Sequence, residues 1–541
     1  MSQTLVGLLA AGGAASQGAP ALIERRGEGY ARISYEELTR AGAAAAKALS
    51  AAGVVGGDLI GLWLPNGLDY LAVEFGAAAM GAAVLGVNTR YGVFELSHLM
   101  VTGRMKVIVL PARFLDLDFV GRLTAAWAAA REAEPGLAPP AILVAGGIDP
   151  ELRSFDLGAG AARLDLSAWD ERLVDHGEMD APVNYFTTSG STGAPKLAGH
   201  DQASIVIHSP AVAAAFDMRA GDVVLGVLPF CGVFGFNIVM AALSVGATCL
   251  VDPVFDGPRT LEDMARFGVT QAFGGDDLFG RLYEAWQATP VALTAWRRGG
   301  IAQFEGRAVA LAQWAREAFG TELTGLYGSS ELLAFVMNRP IQPDTEQQVR
   351  GGGRPINPAI ELRVGDPETG APIGVELQGE LQARGYNRLV HYLGNPAATA
   401  KAITAEGWYR TGDLAVDHGD GTFTYFCRNS EALRLRGFLV EPGEIEQFLM
   451  SHPGVETARV VGARTEHGDT PVGFVTLRDP TLTGDALKAY CKGGLAGFKV
   501  PARIEILDAF PVTAGTNGAK IRVEELKTQA RALLGVAETA T

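Results

Sequence analysis

A loop rich in hydroxyl side chains and glycine, closed by a lysine, is the segment of this sequence best suited to chemistry. It reads Tyr-Phe-Thr-Thr-Ser-Gly-Ser-Thr-Gly-Ala-Pro-Lys from Tyr185 to Lys196. Glycines let backbone N–H groups turn toward an anion, the hydroxyls add donors, and the lysine adds a positive charge. The loop therefore predicts a polyphosphate site, and we assign seven residues to it: Thr188, Ser189, Gly190, Ser191, Thr192, Gly193 and Lys196.

This loop matches neither of the two common phosphate-binding loops. No Gly-Lys-Ser/Thr follows at the Walker spacing, and the G-x-G-x-x-G pattern of dinucleotide-binding folds is absent. A segment rich in serine, threonine and glycine is by itself also typical of a plain surface turn. The interpretation therefore depends on the other motifs of the chain.

Four further motifs follow the loop in order. They are Gly325-Leu-Tyr-Gly-Ser-Ser-Glu331, Gly407-Trp-Tyr-Arg-Thr-Gly-Asp413, Arg428-Asn-Ser-Glu431 with its continuation to Glu446, and Thr513-Ala-Gly-Thr-Asn-Gly-Ala-Lys520. Each is a weak signal alone, but the five in this order resemble the adenylate-forming superfamily of acyl-CoA synthetases, carrier-loading adenylation domains and luciferases. The resemblance extends from Asn88 to Lys520 and favours the acyl-CoA ligase branch.

Length, composition and charge limit the class of protein. A chain of 541 residues exceeds a single hydrophobic core, so two or more domains are expected. With 48% hydrophobic and 19% charged residues the composition is globular. The net charge of -15 argues against nucleic acid or an anionic membrane as the main partner, because both reward basic surfaces.

Cysteine spacing and hydropathy indicate a cytoplasmic protein. The four cysteines show no C-x-x-C spacing, which fits reduced thiols better than disulfides or a zinc site. The N-terminus has no basic region followed by an apolar segment and a cleavage site, so no signal peptide is predicted. Residues 223–251 carry no charge, but proline and glycines interrupt them. We interpret them as a buried strand, a loop, a helix and another strand, not as a membrane span.

The N-terminal part alternates helical and strand patterns. Ser34-Tyr-Glu-Glu37 resembles a capping box that opens an alanine-rich helix. Apolar runs at 58–64, 82–87 and 105–110 indicate strands, and 68–80 indicates a helix. This alternation predicts an α/β fold with parallel or mixed sheets and crossover helices.

The pattern changes after about residue 430. Short strands at 457–461 and 473–477 alternate with helices at 444–450 and 484–491, which is typical of a compact α+β domain. We therefore expect a large N-terminal domain (1–430) that binds ATP and acid, and a small mobile C-terminal domain (431–541). The resemblance implies that the hinge is at Glu431.

The resemblance assigns the catalytic residues. Adenylation moves AMP onto a carboxylate and must hold two anions together, which requires cations and a metal. Lys520 would bridge the carboxylate and the α-phosphate, although an inserted Gly-Thr-Asn-Gly lengthens the usual spacing from Thr513. Ser330 would contact the α-phosphate and Glu331 would hold Mg²⁺, which takes oxygen ligands. Glutamate also suits an ordinary first helical turn, which stays an alternative for Glu331.

The resemblance also assigns the nucleoside site. Asp413 would accept the two ribose hydroxyls and Arg428 would reach the same ribose, whereas an aspartate after glycine is also common in turns. The remaining residues placed beside adenine and ribose are Gly300, Ile301, Ala302, Tyr327 and Gly328.

The acid pocket departs from the family pattern. Many relatives read Pro-Leu-Phe-His-x-x-Gly, whereas this chain reads Pro-Phe-Cys-Gly-Val-Phe-Gly from Pro229, so that Gly232 stands at the histidine position. The missing ring predicts a larger pocket at the junction with pantetheine. The expected lining is Phe230, Gly232, Val233, Phe234 and Asn237, with Phe236 nearby. Simple core packing is the alternative for each of them.

Asp276 and Asp277 are a second departure. They could meet a polar or cationic part of the substrate or cap the following helix, and capping is the favoured interpretation. The histidines show no paired spacing for a metal, so His200 and His208 are interpreted as structural or surface residues. The resemblance places the coenzyme A tunnel at Arg436, Gly437 and Phe438, with Arg436 and Lys499 as candidate contacts of its phosphates.

The sequence thus predicts an AMP-forming carboxylic acid–CoA ligase that uses ATP, Mg²⁺ and coenzyme A. The substrate would be a small to medium-chain or alicyclic acid. One alternative is an adenylation enzyme that passes its acyl group to a carrier-protein pantetheine or to an amine, and another is a non-catalytic scaffold on the same fold. A homodimer is implied by the resemblance alone.

Overall fold

The computed structural model describes residues 4–146, 157–158, 161–166, 172–188, 195–304, 306–429, 431–435, 438–440, 442–465, 468–495, 497, 499–515 and 518–536. Its helices, α1 to α15 in chain order, are Leu5–Ala15, Tyr35–Ala51, Leu68–Ala79, Val93–Gly103, Phe119–Ala133, Gln202–Ala215, Val233–Ser244, Gly257–Phe267, Asp276–Ala288, Ala308–Phe319, Thr345–Val349, Pro396–Ala402, Pro442–Met450, Gly484–Gly494 and Val523–Leu534. A single 3₁₀ turn within the described residues spans Ser330–Leu332.

The strands, β1 to β28 in chain order, are Leu22–Arg26, Gly29–Ile33, Leu59–Leu62, Ala83–Gly86, Val107–Pro111, Ala141–Ala145, Ala161–Leu164, Pro182–Thr188, Lys196–Asp201, Val223–Gly226, Thr248–Val251, Gln271–Gly275, Arg298–Ala302, Glu322–Tyr327, Met337–Asn338, Gly352–Pro355, Glu361–Gly365, Gln378–Arg384, His391–Tyr392, Tyr409–Asp417, Phe423–Arg428, Leu433–Leu435, Phe438–Val440, Val455–Thr465, Gly468–Leu477, Arg503–Ile506, Val512–Gly515 and Gly518–Ile521.

The first large sheet carries the predicted phosphate loop. Its strand order is β19-β9-β8-β4-β3-β5-β6-β7. Strands β8 to β7 run parallel, with α3, α4 and α5 in the connections from β3 to β6, whereas β9 pairs antiparallel with β8 and β19 pairs antiparallel with β9. The loop joins β8 to β9, and Thr188 lies opposite Lys196 in their register. The loop therefore connects an antiparallel strand pair at the border of the parallel strands.

The second large sheet carries the predicted nucleoside residues. Its order is β17-β18-β20-β21-β16-β15-β14-β13-β12-β10-β11-β1-β2. The strands from β14 to β11 are parallel, and those from β14 to β17 are antiparallel. The predicted α/β fold with parallel or mixed sheets and crossover helices is confirmed, and the sheet is of the mixed kind.

Local sequence explains helix α2 and the segment from β10 to β11. Ser34 caps α2, its hydroxyl accepting from the Glu37 amide while the Glu37 carboxylate accepts from the Ser34 amide, as predicted. Residues 223–251 form β10, α7 and β11, which confirms the strand–loop–helix–strand interpretation. Helix α7 is buried from Val233 to Leu243, and one core cluster joins it to strands of both large sheets. No helix among the described residues is long and apolar enough to cross a bilayer.

Beyond β21, the described residues form separate small sheets. Strands β24, β25 and β26 make one sheet, with hairpins β22–β23 and β27–β28 beside it. Helices α13 and α14 contribute to one apolar cluster with this sheet, and α15 contributes to another. The boundary predicted at residue 431 stays a prediction, as does the mobility of the C-terminal part.

Candidate active site

The two ends of the phosphate loop are fixed by neighbouring side chains. The Tyr91 hydroxyl lies 3.0 Å from Thr187 Oγ1 at the end of β8. On the far side, His98 Nε2 donates to the Pro195 carbonyl at 2.9 Å. Between these anchors, the predicted residues Ser189, Gly190, Ser191, Thr192 and Gly193 lie outside the described residues. Their contact with phosphate stays a prediction.

Tyr392 connects the loop lysine to the predicted metal ligand. The Lys196 ammonium lies 4.7 Å from the centre of the Tyr392 ring, a cation–π contact. The hydroxyl of Tyr392 donates to Glu331 Oε1 at 3.0 Å. Burial, and then the charge of Glu331, raises the pKa of Tyr392, so the phenol stays protonated and donates. The structure therefore brings Lys196 and Glu331 to one tyrosine, the lysine over its ring and the glutamate at its hydroxyl.

Glu331 lies in the 3₁₀ turn Ser330–Leu332 and is largely buried. The Ser330 hydroxyl is 3.4 Å from the Thr187 carbonyl, so this turn abuts the end of β8, where the phosphate loop begins. The Ser329 hydroxyl oxygen is buried and has no hydrogen-bond partner among the described residues. An unsatisfied buried hydroxyl is costly unless a ligand pairs with it. The turn thus offers three oxygen-bearing side chains at the phosphate end of the site.

Asp413 and Arg428 are brought together by the pairing of β20 with β21. The Tyr327 hydroxyl donates to Asp413 Oδ2 at 2.5 Å, and Arg428 Nε lies 3.1 Å from Oδ1. The geometry of the Arg428 contact falls short of a hydrogen bond, and Oδ1 has no donor among the described residues. Burial raises the pKa of Asp413 to about 6, although Arg428 and Tyr327 both lower it. The carboxylate is therefore oriented but retains an acceptor for a ligand hydroxyl.

The residues predicted beside adenine separate into two groups. Gly300 and Ile301 are buried in β13, and a Cβ at Gly300 would come within 2.6 Å of Leu326 Cδ2. Ala302 at the strand end and Gly328 after β14 reach solvent. The absence of a side chain at Gly300 is therefore explained by packing. Contact with adenine stays a prediction for all four.

A left-handed turn formed by Leu333, Ala334 and Phe335 follows Glu331. Their φ angles are 57°, 51° and 35°, and no glycine is among them. Such a conformation costs roughly 1–3 kcal/mol for each residue and persists only where the surroundings impose it. The Ala334 amide closes the turn by donating to the Ser329 carbonyl at 2.8 Å. Residues 329–336 include no glycine or asparagine, the residue types that would have indicated this turn.

Comparisons with known proteins identify the family. Residues 10–393 match the family model described as AMP-binding enzyme, and residues 444–516 match the AMP-binding enzyme C-terminal domain. The chain belongs to the AMP-binding enzyme family. The first match alone covers more than half of its length.

This AMP-binding enzyme is similar to proteins named for acid–CoA ligation. It is 27% identical over 514 residues to the mitochondrial medium-chain acyl-CoA ligase ACSF2 of Mus musculus, covering 91% of this chain and 83% of that protein. It is 28% identical over 499 residues to the 3-[(3aS,4S,7aS)-7a-methyl-1,5-dioxo-octahydro-1H-inden-4-yl]propanoyl:CoA ligase of Rhodococcus jostii, covering 90% and 92%. ATP-bound MatB from Rhodopseudomonas palustris shares its fold, with a TM-score of 0.83 at 22% identity over 98% of this chain and 100% of that one.

The residues predicted to line the acid pocket of this AMP-binding enzyme point in two directions. Phe234 on α7 contacts Phe335 of the left-handed turn, with ring centres 5.2 Å apart. Phe230 instead packs edge-on against Tyr70 of α3, with centres 5.8 Å apart. Gly232 is the N-cap of α7 and Val233 is its first residue. Phe234 and Phe230 thus both lie in the core, and Phe234 contacts the left-handed turn that follows Glu331.

Asn237 on α7 is buried, and its amide donates to the Val233 carbonyl at 3.0 Å. Its Oδ1 has no hydrogen-bond partner among the described residues. The bond to the helix backbone therefore pairs the amide nitrogen and leaves the amide oxygen without a described partner. The lining role of all five residues stays a prediction.

The capping interpretation of Asp276 and Asp277 is wrong. The N-cap of α9 is Gly275, and both aspartates lie in the first helical turn. Asp276 accepts from the amides of Phe304 and Arg307, at 2.8 and 2.9 Å, and so fixes the loop before α10. Burial, reinforced by the charge of Asp276, raises the pKa of Asp277.

The predicted coenzyme A residues are only partly described. Arg436 and Gly437 lie outside the described residues, and Phe438 begins β23. Lys499 Nζ pairs with Glu444 Oε1 at 2.5 Å. Directly after β21, the Glu431 amide donates to the Arg428 carbonyl at 2.9 Å. The charge of the Glu431 side chain contributes to raising the pKa of Asp413. These tunnel and hinge roles stay predictions.

Lys520 lies on β28, opposite Thr513 on β27. Gly515 and Gly518 of the inserted segment pair within this hairpin, and the catalytic role of Lys520 stays a prediction. Within the described residues, no cluster of histidine, cysteine and acidic side chains forms a multi-ligand metal site. The His200 and His208 side chains are fully buried, which agrees with the structural interpretation and excludes the surface one.

Proposed function

We propose that this protein is an AMP-forming carboxylic acid–CoA ligase. The observation that carries the proposal is the convergence of Lys196, Glu331 and the Asp413–Arg428 pair around two protonated tyrosines. Binding of MgATP requires protein groups that contact the phosphates, the metal ion and the ribose, and these residues are the candidates for the three roles. The family match and the printed names of the relatives support the same reaction.

In the first step an acid carboxylate oxygen attacks the α-phosphorus of ATP, and pyrophosphate leaves. Asp413 accepts from the ribose hydroxyls through the oxygen that has no donor, and Arg428 holds that carboxylate charged. Lys196 moves from the Tyr392 ring to a phosphate oxygen. Lys520 supplies the cation between the carboxylate and the α-phosphate. Together these contacts offset the repulsion of two anions.

Magnesium fits the described residues. The Glu331 carboxylate and the Ser329 and Ser330 hydroxyls are hard oxygen donors, and Glu331 is already oriented by Tyr392. When bound, the ion neutralises phosphate oxygens during the transfer. Glu331 would hold it, with Ser330 contacting the α-phosphate.

In the second step the coenzyme A thiolate attacks the acyl carbon of the acyl adenylate, and AMP leaves. The C-terminal part turns about Glu431 between the two steps, replacing Lys520 by the loop at Arg436, Gly437 and Phe438. Such gating also keeps water from the mixed anhydride. The small sheets beyond β21, which are separate from both large sheets within the described residues, support this arrangement.

The substrate we propose is a small to medium-chain or alicyclic acid. Phe234 and Phe335 pack against each other beside the segment that carries Glu331, and Gly232 at the N-cap of α7 has no side chain. The relatives named for medium-chain and bicyclic acids support this class. The buried thiols of Cys231, Cys249, Cys427 and Cys491 fit a reducing compartment such as the cytoplasm. A homodimer stays a prediction, which light scattering would test.

ATP–pyrophosphate exchange with a panel of carboxylic acids tests the proposal. We expect Mg²⁺-dependent exchange with one class of acid, followed by stoichiometric thioester formation with free coenzyme A. Exchange without a thioester on free coenzyme A, but with acyl transfer to a pantetheine carrier or an amine, would identify the alternative adenylation enzyme. No exchange with any acid would contradict both and favour a scaffold.

A further inference from the structure

The backbone around Glu331 is held by donors from outside its own segment. The carbonyls of three successive residues, from Ser330 to Leu332, each accept one hydrogen bond. The donors are His200 Nε2 to Ser330 at 2.8 Å, the Leu389 amide to Glu331 at 2.7 Å, and Asn387 Nδ2 to Leu332 at 3.0 Å. The acceptors that precede the left-handed turn are therefore all satisfied.

The left-handed turn itself is enclosed by a second histidine. The His208 ring is close enough to the backbone of Leu333 and Ala334 for that backbone to affect its pKa, although its Nε2 has no hydrogen-bond partner among the described residues. Its Nδ1 is 3.1 Å from the Tyr386 hydroxyl. Burial lowers the pKa of His208 to about 3 and that of His200 to about 4. Both rings are therefore neutral in the folded protein. His200 acts as a neutral donor and His208 as a packing group, and neither acts as a charge.

The side chains of His200, His208 and Asn387 are fully buried and come from three separate elements. His200 is on β9, His208 is on α6, and Asn387 precedes β19. None belongs to the phosphate loop or to the ribose pair. Their described polar contacts are with the segment around Glu331 or with Tyr386. Such convergence on one strained segment is the condition under which left-handed residues persist.

We propose that His200, His208 and Asn387 are positioning residues that hold the left-handed turn, and through it Ser330 and Glu331, in the geometry that adenylation needs. The inference rests on the proposed function, because it assumes that Glu331 and Ser330 serve MgATP. Without the contacts of these three side chains, the backbone of the left-handed turn would relax toward right-handed φ angles. That relaxation would displace the Glu331 carboxylate while leaving the Asp413–Arg428 pair in place.

The variants are chosen to separate the donor from the side-chain volume. His200→Leu removes the donor to Ser330, whereas His200→Gln keeps an amide donor at a similar reach. Gln202→Met is the matched control. Gln202 is equally buried and also bonds backbone groups, but these are the Leu5 amide and the Ala78 carbonyl, remote from the turn.

Hydrogen–deuterium exchange in the ligand-free protein gives a readout that needs no activity. In His200→Leu we expect the amides of residues 329–336 to exchange up to roughly tenfold faster, as for the loss of one buried hydrogen bond. His200→Gln should restore protection, and Gln202→Met should leave this segment unchanged. Unaltered exchange of the segment in His200→Leu would overturn the proposal.

The second readout is the Mg²⁺ dependence of ATP–pyrophosphate exchange. We expect His200→Leu to raise the half-saturating Mg²⁺ concentration about 10- to 100-fold, the usual range for losing a group that orients a metal ligand. Thioester formation from pre-made acyl adenylate should stay near the wild-type rate. Equal losses in both half-reactions would contradict a positioning role. If the wild-type protein itself shows no exchange, the proposed function fails instead.

A suppressor tests the physical cause. Glycine adopts positive φ angles without the penalty of a Cβ. Ala334→Gly in the His200→Leu background should therefore recover part of the lost Mg²⁺ affinity. No recovery would mean that His200 acts in another way and would overturn the proposal. Asn387→Leu removes a different donor to the same segment, is expected to reproduce the His200→Leu phenotype, and replaces that variant if it does not fold.

Discussion

At the scale of single residues, two phenols hold the carboxylates of the site. Tyr392 donates to Glu331, and Tyr327 donates to Asp413. Burial raises the pKa of both tyrosines, and the neighbouring carboxylate raises each further. Both phenols therefore remain donors across the physiological range. Neutral donors orient the carboxylates without cancelling the charge that a metal ion or ribose hydroxyls require.

Tyr392→Phe separates the two contacts of this residue. The variant keeps the ring beneath Lys196 and loses the bond to Glu331. Because hydrogen bonds to charged groups contribute about 1.5–3 kcal/mol, we expect kcat/KM for adenylation to fall by at least roughly tenfold. Tyr392→Leu, which also removes the ring, should be worse. Steady-state pyrophosphate release measures the activity of both variants. Wild-type activity in Tyr392→Phe would show that the hydroxyl does not orient Glu331.

Asp413 predicts a pH dependence of ATP binding. Its pKa is raised to about 6 by burial, with Arg428, Tyr327, Glu331 and Glu431 as the charged or titratable groups around it. The carboxylate can accept ribose hydroxyls only when ionised, so ATP affinity should fall as the pH drops through about 6. Asp413→Asn should weaken ATP by about 1.5–3 kcal/mol at pH 7.5 and abolish that dependence. Calorimetry between pH 5 and 8 measures both effects, and an unchanged profile in the variant would remove Asp413 from the ribose site.

At the scale of elements, periodic patterns were predictable and irregular backbone was not. The capping box of α2 and the strand–helix–strand interpretation of residues 223–251 agree with the structure because each depends on local sequence. The left-handed turn after Glu331 has no local signal, since tertiary contacts from distant residues impose it. Asp276 was misinterpreted for the same reason, because its partners lie in the loop before α10. The motifs placed Tyr327 in the predicted nucleoside site, but no sequence pattern indicated Tyr392, which contacts both Lys196 and Glu331.

A buried acid beneath β8 predicts how the stability of this element changes with pH. Glu74 on α3 is fully buried and accepts from Asn184 Nδ2 at 2.9 Å. Burial raises its pKa from 4.5 to about 8, although the bond from Asn184 lowers it. The folded state therefore retains a proton that the unfolded state releases, so this contribution to stability is full below pH 4.5 and declines up to about pH 8.

Glu74→Gln should remove this decline. We expect the wild-type free energy of unfolding to fall by up to about 1.4 kcal/mol per pH unit in that window, relative to the variant. Urea denaturation at pH 5.5, 6.5 and 7.5, followed by tryptophan fluorescence, gives the difference. Parallel pH profiles for the two proteins would show that Glu74 is ionised in the folded state.

At the scale of the whole molecule, the proposed mechanism requires two active-site compositions to alternate on one large domain. Lys520 is proposed to act in the first step and to leave for the second. Lys520→Ala should therefore nearly abolish acyl-adenylate formation, while thioester formation from pre-made acyl adenylate should change little. Equal loss in both half-reactions would indicate a general defect of binding or folding, as circular dichroism of the variant would show.

Glu431→Pro tests the hinge between those two arrangements. Proline fixes φ near about -65° and removes the amide that now bonds the Arg428 carbonyl. We expect one arrangement to be trapped, so that acyl adenylate forms in a single burst while thioester turnover collapses. Rapid-quench measurement of the two products separates the steps. Wild-type rates for both would move the hinge, and the domain boundary, away from residue 431.

The hairpin that carries Lys520 has a consequence for recognising related chains. Thr513 and Lys520 face each other across β27 and β28, and Gly515 and Gly518 pair next to the tip. Adding or removing residues in matched pairs at the tip of such a ladder changes its length but keeps every anchored pair in register. A change by an odd number of residues must instead be absorbed by the turn or by a slip of the register. The pairing with that threonine across the hairpin is thus a better guide to the lysine than the length of the interval between them.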